Sequence, residues 1–417
     1  MGCHTVSPKN KDAVKILHVI NIIDPRSGGP SNVIRHLVRE QVSQGHEVSL
    51  LTTTTQTSEP WESRESYVYR MLAEPEFSEV ELFIAPAIGR RRPWSRLAYS
   101  RSGERWLRRR MNDPARIPDV IHIHGVFSHV TTRAAAWARK RNVPYVVRPA
   151  GSLDAACFEM GYHRLKRAFT KVYLRKDLQY AAAIHVTSDA EAEELTHWAP
   201  TTRIANLPHG ADVPQFDRHA VSEAFLDEYP QLRGKRTVLY MSRITEKKRL
   251  ELLVEAIAQA RQKHPELMLL VAGHDAGHGP VVREAVRRCE MDKACVFADF
   301  LAGEQKQGAF AVADFFALLS IDENFGVAVI EAMAHSLPVL VTPGVASHVY
   351  VDESNSGETV EGRLDRVVPA IERMLAADLD EMGRRGRDYI EAHLSWSSIA
   401  RRLEAVYQEL QPLAAAS

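Results

Sequence analysis

Two doubly wound α/β domains, each built on a parallel sheet, are what this sequence predicts. Three observations carry that expectation. Short apolar runs alternate with amphipathic helical segments over nearly the whole chain. The runs are continuous rather than alternating, as strands covered on both faces read. The pattern also breaks at LPHGADVPQFDRHA, which carries Pro208, Gly210 and Pro214, and restarts near Thr237. A stretch of that composition reads as a linker.

In the first half the strand candidates are VKILHVINI (Val14–Ile22), HEVSLLTT, VELFIAPA, DVIHIHG, PYVVRP and AAIHVTS. The first of them leads into SNVIRHLVREQVSQG, where Val33, Ile34, Leu37, Val38 and Val42 share one helical face. Pro30 suits the first turn of that helix and Gly45 its end. In the second half the candidates are TVLYMSR, LMLLVAG, CVFADF, DFFALLS and PVLVT. The last helix, LSWSSIARRLEAVYQELQ, sets Ile399, Leu403, Val406, Tyr407 and Leu410 on one face that needs a surface to cover. The expected organisation is a loose tail over 1–12, an N-terminal domain over 13–212, a linker over 213–235, a C-terminal domain over 236–395 and a terminal helix over 396–417.

Composition removes several classes. The chain has 417 residues, 45% hydrophobic and 25% charged, with 53 Lys and Arg against 53 Asp and Glu. That balance gives no pull toward nucleic acid. Cys3, Cys157, Cys289 and Cys295 have neither metal-ligand spacing nor the density of a disulfide framework, which fits a reducing cytoplasm. No apolar run reaches membrane-span length. The first residues, MGCHTVSPKNKD, lack a signal-peptide core, and Val6 stands where a myristoylation signal wants Ser or Thr.

Doubly wound sheets bind ligands at the carboxyl ends of their strands, so the informative residues are those that follow strands. After DFFALLS comes SIDENFGVAVIEAMA, an apolar stretch holding Glu323 and Glu331 eight positions apart. Glu323 precedes a helix N-terminus, and Glu331 lies within that helix. Such an N-terminus offers free N–H groups and a positive dipole end, which can hold a phosphate or steady a carboxylate. After TVLYMSR, Arg243 and Lys248 place two cations past a strand end, a planar fork and a point charge suited to a diphosphate. Each feature alone also reads as an ordinary charged turn or helix start; their combination is the signal.

Ser27-Gly28-Gly29-Pro30 follows the first strand, where glycines let a ligand approach the backbone. His122 and His124 share a strand face, with His124 at the strand end beside Gly125 and better placed to meet a ligand. No carboxylate or cysteine stands at ligand spacing to them, so no metal site is expected. The lone DxD triplet, Asp378-Leu379-Asp380, lies between two helical patterns and reads as a solvated junction.

Taken together, these motifs resemble the family 4 retaining glycosyltransferases of the GT-B fold, over a match from about Val14 to the last helix. The most specific element is Glu323-Asn324-Phe325-Gly326 with Glu331-Ala332-Met333-Ala334. Ser242-Arg243 with Lys248, Gly28-Gly29, His122-x-His124-Gly125, Arg148-Pro149-Ala150-Gly151 and His185-x-Thr187-Ser188-x-x-Glu191 match further motifs. Two departures stand out: Arg249 replaces the usual glycine after the lysine, and His209-Gly210 replaces Asn-Gly in the linker.

The resemblance implies two Rossmann-like domains facing across a cleft, the last helix crossing back to the first. It implies a UDP- or GDP-linked sugar as donor, a glycan or lipid-linked glycan as acceptor, and retention of configuration without metal or other cofactor. In that reading Glu323 and His124 face the sugar. Arg243, Lys248, Gly28, Gly29, Phe325 and Gly326 hold the diphosphate, and Glu331 takes the ribose. The base lies near Phe300 and Leu301. A catalytically weak scaffold and a nucleotide-sugar epimerase remain open as alternatives. A final expectation rests on composition: residues 90–111 hold nine arginines against one acid, Glu104, together with Trp94, Tyr99 and Trp106. That is the make-up of a surface for anionic lipid at the inner face of the plasma membrane. The competing reading is a helix packed on the sheet with its arginines solvated.

Overall fold

The computed structural model describes residues 13–23, 29–53, 77–87, 97–153 and 169–415. The chain divides into two compact units, Met1–Pro208 with Ile399–Ser417, and His209–Ser398.

The first unit carries a seven-stranded sheet in the order β3-β2-β1-β4-β5-β6-β7, parallel throughout. Its strands are β1 (Lys15–Ile20), β2 (Glu47–Thr53), β3 (Glu81–Ala85), β4 (Val120–His124), β5 (Tyr145–Arg148), β6 (Ala183–Val186) and β7 (Ile204–Asn206). The second unit carries a six-stranded parallel sheet in the order β10-β9-β8-β11-β12-β13. These are β8 (Arg236–Met241), β9 (Leu267–Ala272), β10 (Cys295–Phe297), β11 (Phe315–Leu318), β12 (Val339–Val341) and β13 (Gly357–Thr359). In both sheets the order reverses beside the first strand, between β1 and β4 and between β8 and β11. That switch point is where a doubly wound sheet leaves a crevice at the strand ends.

The two faces of the first sheet differ. Leu17, Val19, Ile121, Ile123, Tyr145, Val147, Ile184 and Val186 point to one side and join an apolar core with the helix His129–Arg141. On the other side the register places His18 opposite His122, His124 opposite Arg148, and His185 in the row beside them. Ile20, Ile34, Val38 and Leu50 form a smaller apolar cluster near that face. The strand interiors of the second unit are dry: all six residues of β9 and all of β11 and β12 are buried and apolar.

The segment expected as a linker over 213–235 is largely ordered. Asp217 caps the helix Arg218–Glu228 through its side chain, and Phe225 packs so closely on Gly308 that a Cβ there would lie 2.7 Å from it. The second unit therefore begins at His209, before the expected domain boundary. The terminal helix Trp396–Ala415 belongs from Ile399 onward to the first unit, burying Ile399, Leu403, Tyr407 and Leu410. Asp378 caps the helix Leu379–Tyr389, accepting from the Glu381 N–H at 3.0 Å, so the DxD triplet is a helix start. No helix among the described residues is long and apolar enough to cross a membrane.

Candidate active site

In the second unit the chain leaves β11 at Ser320 and makes a tight loop before the helix Val327–Ala334. The loop is tied to the segment after β12: Glu323 N–H donates to the Gly344 carbonyl at 2.8 Å, and Ala346 N–H to the Glu323 carbonyl at 3.1 Å. Gly326 opens the helix with φ +87° and no side-chain cap. A Cβ there would meet Val345 Cγ1 at 2.6 Å, so both the left-handed backbone and the close approach require glycine.

The loop delivers Glu323 directly onto Lys248 Nζ, forming an ion pair. Lys248 is 8% exposed and sits in the short turn Glu246–Lys248 after β8. Burial, with Arg243 close by, pulls its ammonium down to about 8. The Glu323 carboxylate in contact with it works the other way and favours the charged form. Arg243 is exposed, and its carbonyl accepts from the Tyr240 hydroxyl at 3.0 Å. The structure thus brings Arg243, Lys248 and Glu323 into one patch at the carboxyl ends of β8 and β11.

The neighbouring strand ends are equally tight. Gly273, after β9, has φ +140°, and a Cβ at that position would lie 1.9 Å from the Ser242 carbonyl oxygen. Glu331, one turn into its helix, pairs with Lys306 Nζ at 2.7 Å. Lys306 belongs to the helix Gly303–Val312, which follows Phe300 and Leu301. Phe300 is 68% exposed, whereas Leu301 is buried.

Two sequence expectations change. The Phe325 ring is buried edge-on against His209 at 4.7 Å, so any diphosphate contact at this position falls to its backbone. Arg249, where glycine was expected, adopts φ +50°. The left-handed backbone costs a non-glycine residue roughly 1 kcal/mol. Its guanidinium donates to the Gly362 carbonyl at 2.6 Å, an anchor glycine could not supply.

In the first unit, Gly28 lies outside the described residues, and Gly29 opens the helix Gly29–Ser43. His124 is buried at the end of β4 within a group of four imidazoles and one guanidinium. His18 Nδ1 and His124 Nε2 are 2.9 Å apart, and His18 Nε2 lies 2.7 Å from Gln41 Oε1. His122 Nδ1 lies 2.6 Å from the Tyr407 hydroxyl, and His122 Nε2 3.4 Å from His185 Nδ1. His185 Nε2 reaches the Leu207 carbonyl at 3.0 Å.

Burial holds all four rings neutral. It pulls His18 down to about 4 and His185 to about 3, and places His122 and His124 well below the usual histidine range. Burial likewise lowers Arg148 to about 10, against the pull of Glu191. Glu191 itself accepts from the Gly151 and Thr187 N–H groups at 2.8 and 2.9 Å and so ties two of the motifs together.

Sequence reasoning names His122 and His124 but misses His18, Gln41 and Lys306 as parts of these clusters. A histidine inside the apolar run KILHVI is the available signal for His18. Nothing local marks Gln41 or Lys306.

In the Arg-rich segment, residues 90–96 lie outside the described residues. The remainder forms the helix Arg101–Met111, capped by Ser100, with Leu107 and Met111 buried and Trp106 stacked on Phe83 at 5.4 Å. Arg110 is also buried, held by Glu81 at 2.5 Å and Ser49 at 2.7 Å. Arg101, Arg105, Arg108 and Arg109 are exposed, at the spacing of one helical face.

Comparison with known proteins agrees with the two-sheet α/β architecture. Residues 28–210 match the model of the glycosyl transferase 4-like domain, and residues 222–389 that of glycosyl transferases group 1. A GDP-mannose-dependent alpha-(1-6)-phosphatidylinositol monomannoside mannosyltransferase of Mycobacterium tuberculosis is 26% identical over 232 residues. That match takes in 52% of this chain and 59% of the relative, less than two thirds of its length. A GDP-mannose:cellobiosyl-diphosphopolyprenol alpha-mannosyltransferase of Komagataeibacter xylinus is 22% identical, covering 96% of this chain and 95% of its own. Among solved structures, sucrose-phosphate synthase from Thermosynechococcus elongatus superposes with a TM-score of 0.72 at 22% identity, covering 96% of this chain and 99% of its own. With both halves matched in order and the two parallel sheets each accounted for, the chain belongs to the family 4 glycosyltransferases of the GT-B fold.

Proposed function

We propose that this chain transfers a hexosyl group from a UDP- or GDP-linked sugar to a glycan or lipid-linked glycan, with retention of configuration. The observation that carries the reading is the buried Lys248 ammonium paired with Glu323, beside Arg243, at the ends of β8 and β11. A buried cation held by one carboxylate and flanked by a second cation has charge to spare for an anion. The diphosphate takes Lys248 and Arg243 and offsets the negative charge that grows on the leaving group. Glu323, freed from Lys248, then stabilises the sugar, and His124 contacts it. Gly28, Gly29 and the amides around Gly326 border the phosphates. Glu331, released from Lys306, accepts from the ribose hydroxyls, and the exposed Phe300 ring offers a face to the base.

The reading is metal-independent. His18, His122 and His124 offer nitrogens all within 4.8 Å of one another. The neighbouring Arg148, however, already disfavours positive charge on His122 and His124, and would repel a dication in the same way. The acceptor side includes contact with anionic membrane through Arg101, Arg105, Arg108 and Arg109, since lipid-linked acceptors are named for the two relatives above.

A panel of UDP- and GDP-sugars tests the proposal. A true donor at a hundred times its dissociation constant raises stability by about 2.7 kcal/mol and is slowly hydrolysed to nucleoside diphosphate. Binding without any turnover, with or without acceptor extracts, would favour the scaffold reading instead.

A further inference from the structure

The polar face of the first sheet carries two hydrogen-bonded runs, whose directions are set by two oxygens that can only accept, the Leu207 carbonyl and Gln41 Oε1. The Leu207 carbonyl can only accept, so His185 must place its proton on Nε2 and leave Nδ1 bare. A bare Nδ1 facing His122 Nε2 requires the proton of His122 to be on Nε2. His122 Nδ1 is then an acceptor, and the Tyr407 hydroxyl must donate to it.

That run ends at Tyr407, and a second run leads to His124. Gln41 Nε2 has no hydrogen-bond partner among the described residues, whereas Gln41 Oε1 lies 2.7 Å from His18 Nε2. An amide oxygen can only accept, so His18 must donate from Nε2 and leave Nδ1 bare, and His124 in turn must donate from Nε2. The chain ends at His124 Nδ1, which is buried and has no hydrogen-bond partner among the described residues.

We infer that His18 and Gln41 are positioning residues that fix the tautomer of His124 with Nδ1 as a bare acceptor, so that this histidine recognises a sugar hydroxyl as a hydrogen-bond donor. The tautomer follows from the hydrogen-bond chain alone; the ligand rests on the proposed sugar contact of His124. The device accounts for two buried polar residues, one in β1 and one in the helix Gly29–Ser43, neither of which the transfer chemistry uses directly. A neutral imidazole in mixed tautomers would present a donor part of the time and lose this discrimination.

The test is long-range nitrogen–proton NMR on full-length protein labelled at histidine, with His124 assigned by its disappearance in His124→Asn. The expected result is a protonated Nε2 and an unprotonated Nδ1 in the free protein. In Gln41→Leu, which keeps the volume but removes the acceptor for His18, His124 should show mixed tautomers, and kcat/KM should fall by about fivefold, the scale of one neutral hydrogen bond. Protonation of Nδ1 in the wild type, or an unchanged tautomer in Gln41→Leu, would overturn the inference. If the tautomer is as expected but saturating donor sugar leaves the Nδ1 resonance unmoved, the positioning role stands and the sugar contact of His124 falls.

Discussion

The two sheets are built to one plan and filled differently. In the second unit the central strands β8, β9, β11 and β12 bury almost nothing but aliphatic and aromatic side chains, and charge is confined to their ends, Arg236 with Asp314 at the amino side and Arg243, Lys248 and Glu323 beyond the carboxyl side. In the first unit one sheet face holds His18, His122, His124, His185 and Arg148 in its interior. A dry sheet draws its stability from apolar burial and lends function to its loops. A sheet with a polar interior must satisfy every buried nitrogen, and gains fixed orientations in return. The difference is between a scaffold that presents a charged patch and one whose own interior sets a side chain's protonation.

Acid should break this comparison most visibly. The four buried histidines bind protons less well folded than unfolded, so the unfolded chain gains protons first as pH falls. Their full contribution is present above about 6.5 and is lost as pH drops below that value, down toward the folded values near 4 and 3. Each costs about 1.4 kcal/mol per pH unit in that window. In the second unit burial lowers His335 to about 4, at the end of the helix Val327–Ala334 rather than within the sheet. Hydrogen exchange at pH 7 and pH 5 should show β1, β4, β5 and β6 losing protection well before β8, β9, β11 and β12. Equal loss in both units would remove the distinction.

Lys248→Ala sharpens the second-unit side of the comparison. Loss of a charge-assisted contact costs about 1.5–3 kcal/mol, so calorimetry should show nucleoside diphosphate binding weakened roughly ten- to hundredfold while nucleoside binding barely changes. Equal losses for both ligands would make Lys248 a structural residue. The pH dependence adds a second reading. Wild-type affinity for diphosphate should fall as pH rises through about 8, where Lys248 loses its proton. In Glu323→Gln that fall should begin at lower pH, because the carboxylate favouring the charged form is gone.

How far the sequence foretells these two interiors depends on how local each signal is. Ten of the apolar runs read from sequence coincide with β1, β2, β3, β4, β5, β6, β8, β9, β11 and β12, because continuous Val, Ile, Leu and Phe at strand length leave little choice. β10 is also legible as CVFADF, although only Cys295–Phe297 pair. The edge strands β7 and β13 are not legible: three residues each, reading IAN and GET, hold no periodicity, and their pairing is decided by the neighbouring strand. The linker reading fails because prolines and glycine around 208–214 mask a helix that begins at Arg218. Glu323, Arg243 and Lys248 are readable as residues following strands. Their meeting, and the cross-chain partners Lys306, Gln41 and Tyr407, require the fold, since a hydrogen bond over 285 positions such as His122 to Tyr407 leaves no mark on local sequence.

The smallest expected effect lies on the first unit's surface. Each of Arg105→Ser, Arg108→Ser and Arg109→Ser should weaken binding to anionic vesicles by about 1 kcal/mol, additively and less at high salt. Neutral vesicles should not bind. Arg110 must be left in place, because it is buried against Glu81 and Ser49 and its loss would unsettle the sheet edge. Indifference of the wild type to anionic vesicles at low salt would make the helix a packed, solvated element and the acceptor a soluble one.

The most direct test concerns the carboxylate that Lys248 holds at rest. Glu323→Gln is nearly isosteric and sits in a loop whose backbone is tied independently to Gly344 and Ala346. With the matching nucleotide sugar, kcat for this variant should fall by ~100-fold or more, the scale of one charge-stabilising group. Melting temperature should be close to the wild type, and donor affinity should fall far less than kcat. Turnover within a few fold of the wild type would contradict the claim that Glu323, once the donor diphosphate takes Lys248, serves the transferring sugar.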